Sequence, residues 1–389
     1  MDKKTILASL KKNAMLIVLV LVYLFFLILT QGAIFKPSNF SELVNQNAYV
    51  YILGCGMLMC MLTGGNIDLS CGAFVCLISA LGGIFMVVQG LGTGVSLLLL
   101  LAIGIAYGCL LGYLIAYVHI PPWIATLAGY LAFRGLGTYI LTSNSTTGSL
   151  SPFPVDFQNM FFGRIFATKP GEFNIPCFAI GIAAAALVVF MVFWTRKSRL
   201  AKGYEADSVK AAALKGGLGA AVIVLVMTRL AMDGGIPTTM VWVVGIVLIY
   251  SFITSKTTIG RHFYVVGGNM EAARLSGVNT RRIMFIAYLN MAVLTTIATM
   301  PVIARSQSAY AALGKNYEMD AISACVVGGV SASGGAGTVL GMVIGATLIG
   351  VINLGMSLIS LDANYQRVVK GFVLLAAVVF DIVSKQKKS

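Results

Sequence analysis

Val95-Ser-Leu-Leu-Leu-Leu-Leu-Ala-Ile-Gly-Ile-Ala-Tyr-Gly-Cys-Leu-Leu-Gly-Tyr-Leu-Ile-Ala-Tyr-Val118 decides the fold class. It carries no charged residue and exceeds the ~20 residues that a helix needs to cross the hydrocarbon core of a bilayer. Similar apolar runs lie on both sides of it, at 13–31, 48–62, 69–89, 123–141, 175–194, 216–230, 238–252, 283–303, 319–330, 339–358 and 368–383. Of the 389 residues, 58% are hydrophobic and only 10% are charged, and the mean hydropathy is +0.92. A soluble domain carries roughly 25% charged residues. The runs are therefore membrane spans, and the fold class is an all-α polytopic helical bundle.

Charge position gives the orientation. The formal net charge is +14, but the cations are clustered. Lys3, Lys4, Lys11 and Lys12 precede the first run, and Lys385, Lys387 and Lys388 end the chain. Two interior stretches carry most of the others: 196–215, with Arg196, Lys197, Arg199, Lys202, Lys210 and Lys215, and 254–282, with Lys256, Arg261, Arg274, Arg281 and Arg282. The positive-inside rule places both termini and both stretches in the cytoplasm. The polar stretch 142–174 has no basic cluster and belongs outside. This pattern also excludes a nucleic-acid partner, because such a partner needs its basic patch on one folded face. The whole chain, 1–389, reads as one transmembrane domain in the lipid bilayer, with about 12 crossings. Runs 216–230 and 319–330 are short for a full span, so the count falls to about 10 if both are re-entrant.

The chemistry is sparse. Seven cysteines lie mostly within apolar runs and only two histidines occur, with no metal-ligand spacing; the cysteines read as small packing residues. No G-x-x-x-x-G-K-[ST] phosphate loop is present, so ATP hydrolysis falls to another chain. No paired carboxylates, metal cluster or nucleophile motif suggests an enzyme, and no cofactor is expected. Proline in His119-Ile-Pro-Pro122 breaks a helix. Gly65-Asn-Ile-Asp-Leu-Ser-Cys-Gly72 and Gly329-Val-Ser-Ala-Ser-Gly-Gly335 resemble each other weakly. Gly-interrupted segments at matching places in two halves suggest discontinuous helices beside a transport path, and ordinary small-residue packing explains them equally.

The segment Gly267-Gly-Asn-Met-Glu-Ala-Ala-Arg-Leu-Ser-Gly277 suits a short surface helix. Asn269 is a good N-cap, Glu271 sits in the first turn, and Gly277 closes the end. Ala272 and Ala273 keep it slim, and Arg274 offers a charge-assisted anchor. Such a helix docks in a partner's groove or lies on the inner membrane face.

The same segment, with Gly268 at its start, resembles the coupling-helix region of ABC permeases of the ribose, xylose and galactose type. Gly65-Asn-Ile-Asp-Leu-Ser70, Thr126-Leu-Ala-Gly-Tyr-Leu-Ala-Phe-Arg-Gly-Leu136 and Tyr317-Glu-Met-Asp-Ala-Ile-Ser-Ala324, followed by Val327-Gly-Gly329 and Ser333-Gly-Gly-Ala-Gly337, resemble that family in the same order. Asn66 as an extra residue and the 196–233 insertion resemble its xylose and multiple-monosaccharide subgroup. Ser323 and Ala336 depart from the family pattern. The resemblance implies a multi-pass permease subunit of the cytoplasmic membrane that imports a pentose or hexose. It also implies an ATP-binding cassette subunit gripping residues 267–277, an extracytoplasmic sugar-binding protein and a second permease chain, in a homodimer. A branched-chain amino-acid permease of the ABC type and an ion-coupled carrier are the alternatives. Asn66, Asp68, Ser70, Asn290 and Asn353 are candidates for the sugar path, since neutral sugars need hydrogen-bonding side chains. Each reads first as an interhelical hydrogen-bonding group and only second as a sugar contact, and Asp68 reads first as a helix cap.

Overall fold

The computed structural model describes residues 14–169, 172–206 and 208–386. The expected basic residues Lys3, Lys4, Lys11, Lys12, Lys387 and Lys388 lie outside the described residues. In chain order the helices are α1 (Ala14–Leu29), α2 (Pro37–Leu62), α3 (Cys71–Gly83, continued by a π turn over Ile84–Val88), α4 (Thr93–Ala116), α5 (Pro122–Asn144) and α6 (Val155–Phe162). They continue as α7 (Ile175–Ala201), α8 (Val209–Met232), α9 (Thr238–Lys256), α10 (Thr258–Gly268), α11 (Met270–Leu275), α12 (Thr280–Ser306), α13 (Tyr317–Val327), α14 (Val339–Leu358) and α15 (Ala363–Gln386). Four two-residue strands pair antiparallel, Ser149–Leu150 with Ala309–Tyr310 and Arg164–Ile165 with Ile236–Pro237.

Local chemistry sets many of the helix starts. Pro37 and Pro122 open α2 and α5, where a missing N–H costs nothing. Asn174, Ser208 and Thr338 cap α7, α8 and α14, accepting from Cys177 N (2.8 Å), Ala211 N (3.2 Å) and Gly341 N (3.0 Å). Eight of the helical segments are long and apolar enough to cross a membrane. The expected loop 196–215 is narrower than the cation cluster: α7 runs to Ala201 and α8 begins at Val209. Long cationic side chains extend from helix ends to water, so charge does not mark the end of a span. The run 216–230 is accordingly part of the full-length α8, whereas 319–330 is the short α13. The expected outer stretch 142–174 contains α6 and two of the strands.

Helix α2 is the axis. From Ala48 to Leu62 nearly every residue is buried, and it packs on α9, α12, α13 and α14. Lipid is as apolar as leucine, so these helices are held by close packing rather than by escape from water. On α4, Gly104, Gly108 and Gly112 sit four apart and let the α12 backbone approach at Leu289 and Phe285. Cysteines play the small-residue part expected of them: Cys60 and Cys325 are buried, and their thiols donate to Ala287 O (3.6 Å) and Gly54 O (3.4 Å). At the periphery, α7 and α8 form a hairpin that packs mainly on itself, and only 17% of the most apolar window of each is buried.

Candidate functional site

The basic ends of α7, α9 and α12 define one end of the bundle, and three glycine turns meet there. The first is Gly64–Gly65 after α2, the second Gly267–Gly268 at the end of α10, where the chain turns into α11, the third Gly334–Gly335 between α13 and α14. Gly335 N donates to Leu62 O at 3.2 Å. A Cβ on Gly267 would overlap Leu62 O and stand 2.6 Å from Gly335 N, and one on Gly334 would lie 2.5 Å from Gly64 Cα. Gly65 has φ +74° and faces Ala332 O at a distance that leaves no room for a side chain. Only glycine supplies both the backbone angle and the contact. Tyr264 of α10 adds a fourth tie, its hydroxyl donating to Gly337 O at 3.0 Å. Burial pushes its phenol above the usual value, against a lowering hydrogen bond with Thr254, so the donor stays protonated.

Helix α11 hangs from this junction. Asn269 Oδ1 accepts from Ala272 N at 2.9 Å, and Gly277, at φ +83°, ends the turn with Val278 N bonded to Ala273 O at 3.0 Å. Glu271 and Arg274 pair at 2.8 Å with both side chains mostly exposed, a contact worth at most ~1 kcal/mol. Breaking this pair to free the Arg274 guanidinium therefore costs little. Leu275 is 81% exposed and Met270 46%. Ala272 faces outward, but Ala273 is fully buried in the chain's own core. Ala273 thus seats the helix, and the surface open to a partner is Met270, Glu271, Ala272, Arg274 and Leu275.

Beyond the junction the chain climbs inward without helix. Asp68 is buried, and its Oδ1 accepts from Ser70 N (2.8 Å) and Ser70 Oγ (2.5 Å); Ser70 Oγ shares a 2.6 Å bond with Tyr107 OH. Asp68 therefore closes a turn just ahead of α3, whose N-cap is Ser70, and its side chain does not bond the helix's own N–H groups. Gly129 of α5 closes on Ser70 Cβ, seven residues or about 10 Å from that helix's start at 1.5 Å per residue. The break thus lies inside the bundle. Non-helical backbone survives at that depth only when its polar groups are satisfied within the protein. Arg134 does this on the other side, where residues 307–316 lead into α13. Its guanidinium donates to Ala311 O (3.0 Å), Leu313 O (2.9 Å) and Gly72 O (3.4 Å).

The five path candidates do not form one site. Asn66 Nδ2 donates to Thr63 O at 3.0 Å and approaches Met284 Sδ at 3.6 Å. Asn290, on the same helix as Met284, accepts from Tyr250 OH, and its Nδ2 is buried without a partner. Asn353 is apart from these: it joins α14 to α2 by donating to Asn47 Oδ1 at 3.1 Å. Sequence reading missed the ion pair between Lys370 of α15 and Asp320 of α13, at 2.9 and 3.0 Å, with Tyr49 OH donating to Asp320 Oδ2 at 2.6 Å. A lone lysine within an apolar run was the available signal. Glu318, buried with Oε2 unpartnered, was also missed.

A family model described as branched-chain amino acid transport system / permease component matches residues 39–378. The xylose transport system permease protein XylH of Haemophilus influenzae is 33% identical over 97% of this chain and 98% of its own length. The protein of that name from Escherichia coli K12 is 31% identical over 97% and 93%. The ribose import permease protein RbsC of Bacillus subtilis is 30% identical over 89% and 85%. No solved structure matches significantly.

Proposed function

We propose that this chain, which belongs to the permease-component family matched over residues 39–378, is the membrane-spanning subunit of an ATP-driven importer of a monosaccharide, a pentose first. The family description mentions amino acids, but the three relatives above, each at least 30% identical over 89–97% of this chain, are named for xylose and ribose. The sugar reading rests on them. In this reading the basic end faces the cytoplasm and the stretch 142–174 faces the sugar-binding protein. A separate ATPase grips α11 through Gly268, Asn269, Glu271, Ala272, Arg274 and Gly277, with Ala273 holding the helix to the core. Two copies of the chain form the translocation unit.

The observation that carries the mechanism is the glycine junction. A push on α11 reaches the backbone at Gly267, and Gly267 touches both Leu62 and Gly335. Both irregular segments, 63–70 and 328–338, therefore feel the same displacement. Each is the end of a broken helix, and broken helices are where carriers place their paths. Asn66, Asp68, Ser70 and Asn290 border the first break and its neighbour α12, and hydroxyl and amide groups there suit passing sugar hydroxyls. Asn353 is a helix-joining residue in this reading.

The test is co-purification and uptake. With its ATPase and binding protein in proteoliposomes, the chain should import xylose only with ATP inside. Ala272→Trp and Arg274→Glu should release the ATPase while the permease stays folded. Uptake by the chain alone under an ion gradient would show a secondary carrier instead.

A further inference from the structure

A second functional surface lies at the basic end, away from α11. The carboxy-terminal ends of α7 and α9 and the turn after α7 line an open cavity of about 520 Å³ that brings Arg199, Lys202 and Lys256 together beside Trp194 and Tyr204. A second cavity of about 650 Å³ shares Thr195 and Arg199 with it and runs along Val188, Met191 and Val192 toward Leu340 of α14. Among the described residues no acid lines either cavity. Glu205 is exposed in the neighbouring turn, and Arg196 and Lys215, at the mouth of the second cavity, already have partners in the chain.

We infer that these joined cavities bind one anionic phospholipid of the adjacent leaflet, with its phosphate on Arg199, Lys202 and Lys256 and an acyl chain in the Val188–Leu340 trough. Three features select this ligand over a free phosphate compound. The cations sit at the end of a membrane helix with Trp194 beside them, the level at which headgroups and aromatic anchors lie. The trough behind them is walled by aliphatic side chains, which a free phosphate has no use for. The flank of α7 is open to lipid, with Leu187 and Met191 each 57% exposed and Trp194 63%. Such a lipid would fasten the peripheral hairpin to α14, whose amino-terminal end adjoins the third glycine turn.

The full chain in detergent, given equimolar phosphatidylglycerol and phosphatidylcholine, tests this by native mass spectrometry. Wild type should retain phosphatidylglycerol in preference by roughly tenfold, each surface cation adding about fivefold at most. Arg199→Glu/Lys202→Glu/Lys256→Glu should bring retention of the two lipids to parity. Leu340→Trp, which blocks the trough and leaves every cation in place, should also lower phosphatidylglycerol retention. Lys202→Gln alone should give a smaller loss in the same direction, which keeps the test decisive if the triple variant misfolds. Glycerol phosphate, a headgroup without chains, should not displace the lipid. Equal retention of both lipids by wild type, indifference to Leu340→Trp, or displacement by glycerol phosphate would each overturn the assignment.

Discussion

The central helices and the α7–α8 hairpin are equally apolar and built differently. About 72% of the most apolar window of α14 is buried, against 17% for α7 and for α8. In the centre, glycines let backbone meet backbone, and polar groups fill the breaks. Glycines in the hairpin mostly meet side chains, as Gly181 meets Met227 and Gly219 meets Val188, or meet nothing, as at Gly217. Hydropathy decides what enters the membrane, and small residues with satisfied polar groups decide which spans form the packed centre.

Substitution should expose this difference. The largest loss of transport is expected at Gly267→Ala and Gly65→Ala, where the new methyl meets a carbonyl oxygen. Overpacking against backbone costs ~1–3 kcal/mol or more, and ATP-driven uptake should vanish even where the variants still reach the membrane. Next is the central ion pair. Lys370→Met leaves Asp320 charged and deprived of its cation, a loss on the order of 3–5 kcal/mol, read as a fall in melting temperature in detergent. Asp320→Asn combined with Lys370→Met should recover part of that loss. Arg134→Met takes the guanidinium donors from the carbonyls of Ala311, Leu313 and Gly72 and should cost ~1–3 kcal/mol for each one left unpaired. Asn269→Ala removes the α11 cap, worth about 1 kcal/mol, and should weaken ATPase association more than it lowers the melting temperature. Least of all, Gly217→Ala in the hairpin should be neutral or stabilising by up to ~1 kcal/mol. A Gly217 variant as damaging as the Gly267 variant would remove the distinction between the regions.

Much of this was legible in the sequence. The uncharged run at 95–118 and the cation clusters give the spans and the basic end, and Asn269, Glu271 and Gly277 mark α11 as a capped helix. Length was misread at 216–230 because Lys210 and Lys215 break the apolar pattern while their stems continue the helix. The helix α6 was hidden in a polar stretch whose Phe153, Phe157 and Phe161, each four apart, are buried. In the candidate site, the pattern Gly65–Gly72 and Gly329–Gly335 suggested two related breaks, but nothing local says that they touch each other and Gly267. Ala273 looks like its neighbour Ala272, and only tertiary packing sends one inward. The Lys370–Asp320 pair joins residues fifty apart, which no periodicity reveals.

The central claim is that α11 is presented to the cytoplasm as the grip for an ATPase. Leu275→Cys tests it directly, since Leu275 is 81% exposed and six of the seven native cysteines are buried, with Cys109 partly so. A membrane-impermeant maleimide should label the variant in inside-out vesicles only, and bound ATPase should protect it. Labelling from the outer face, or labelling indifferent to the ATPase, would contradict the account.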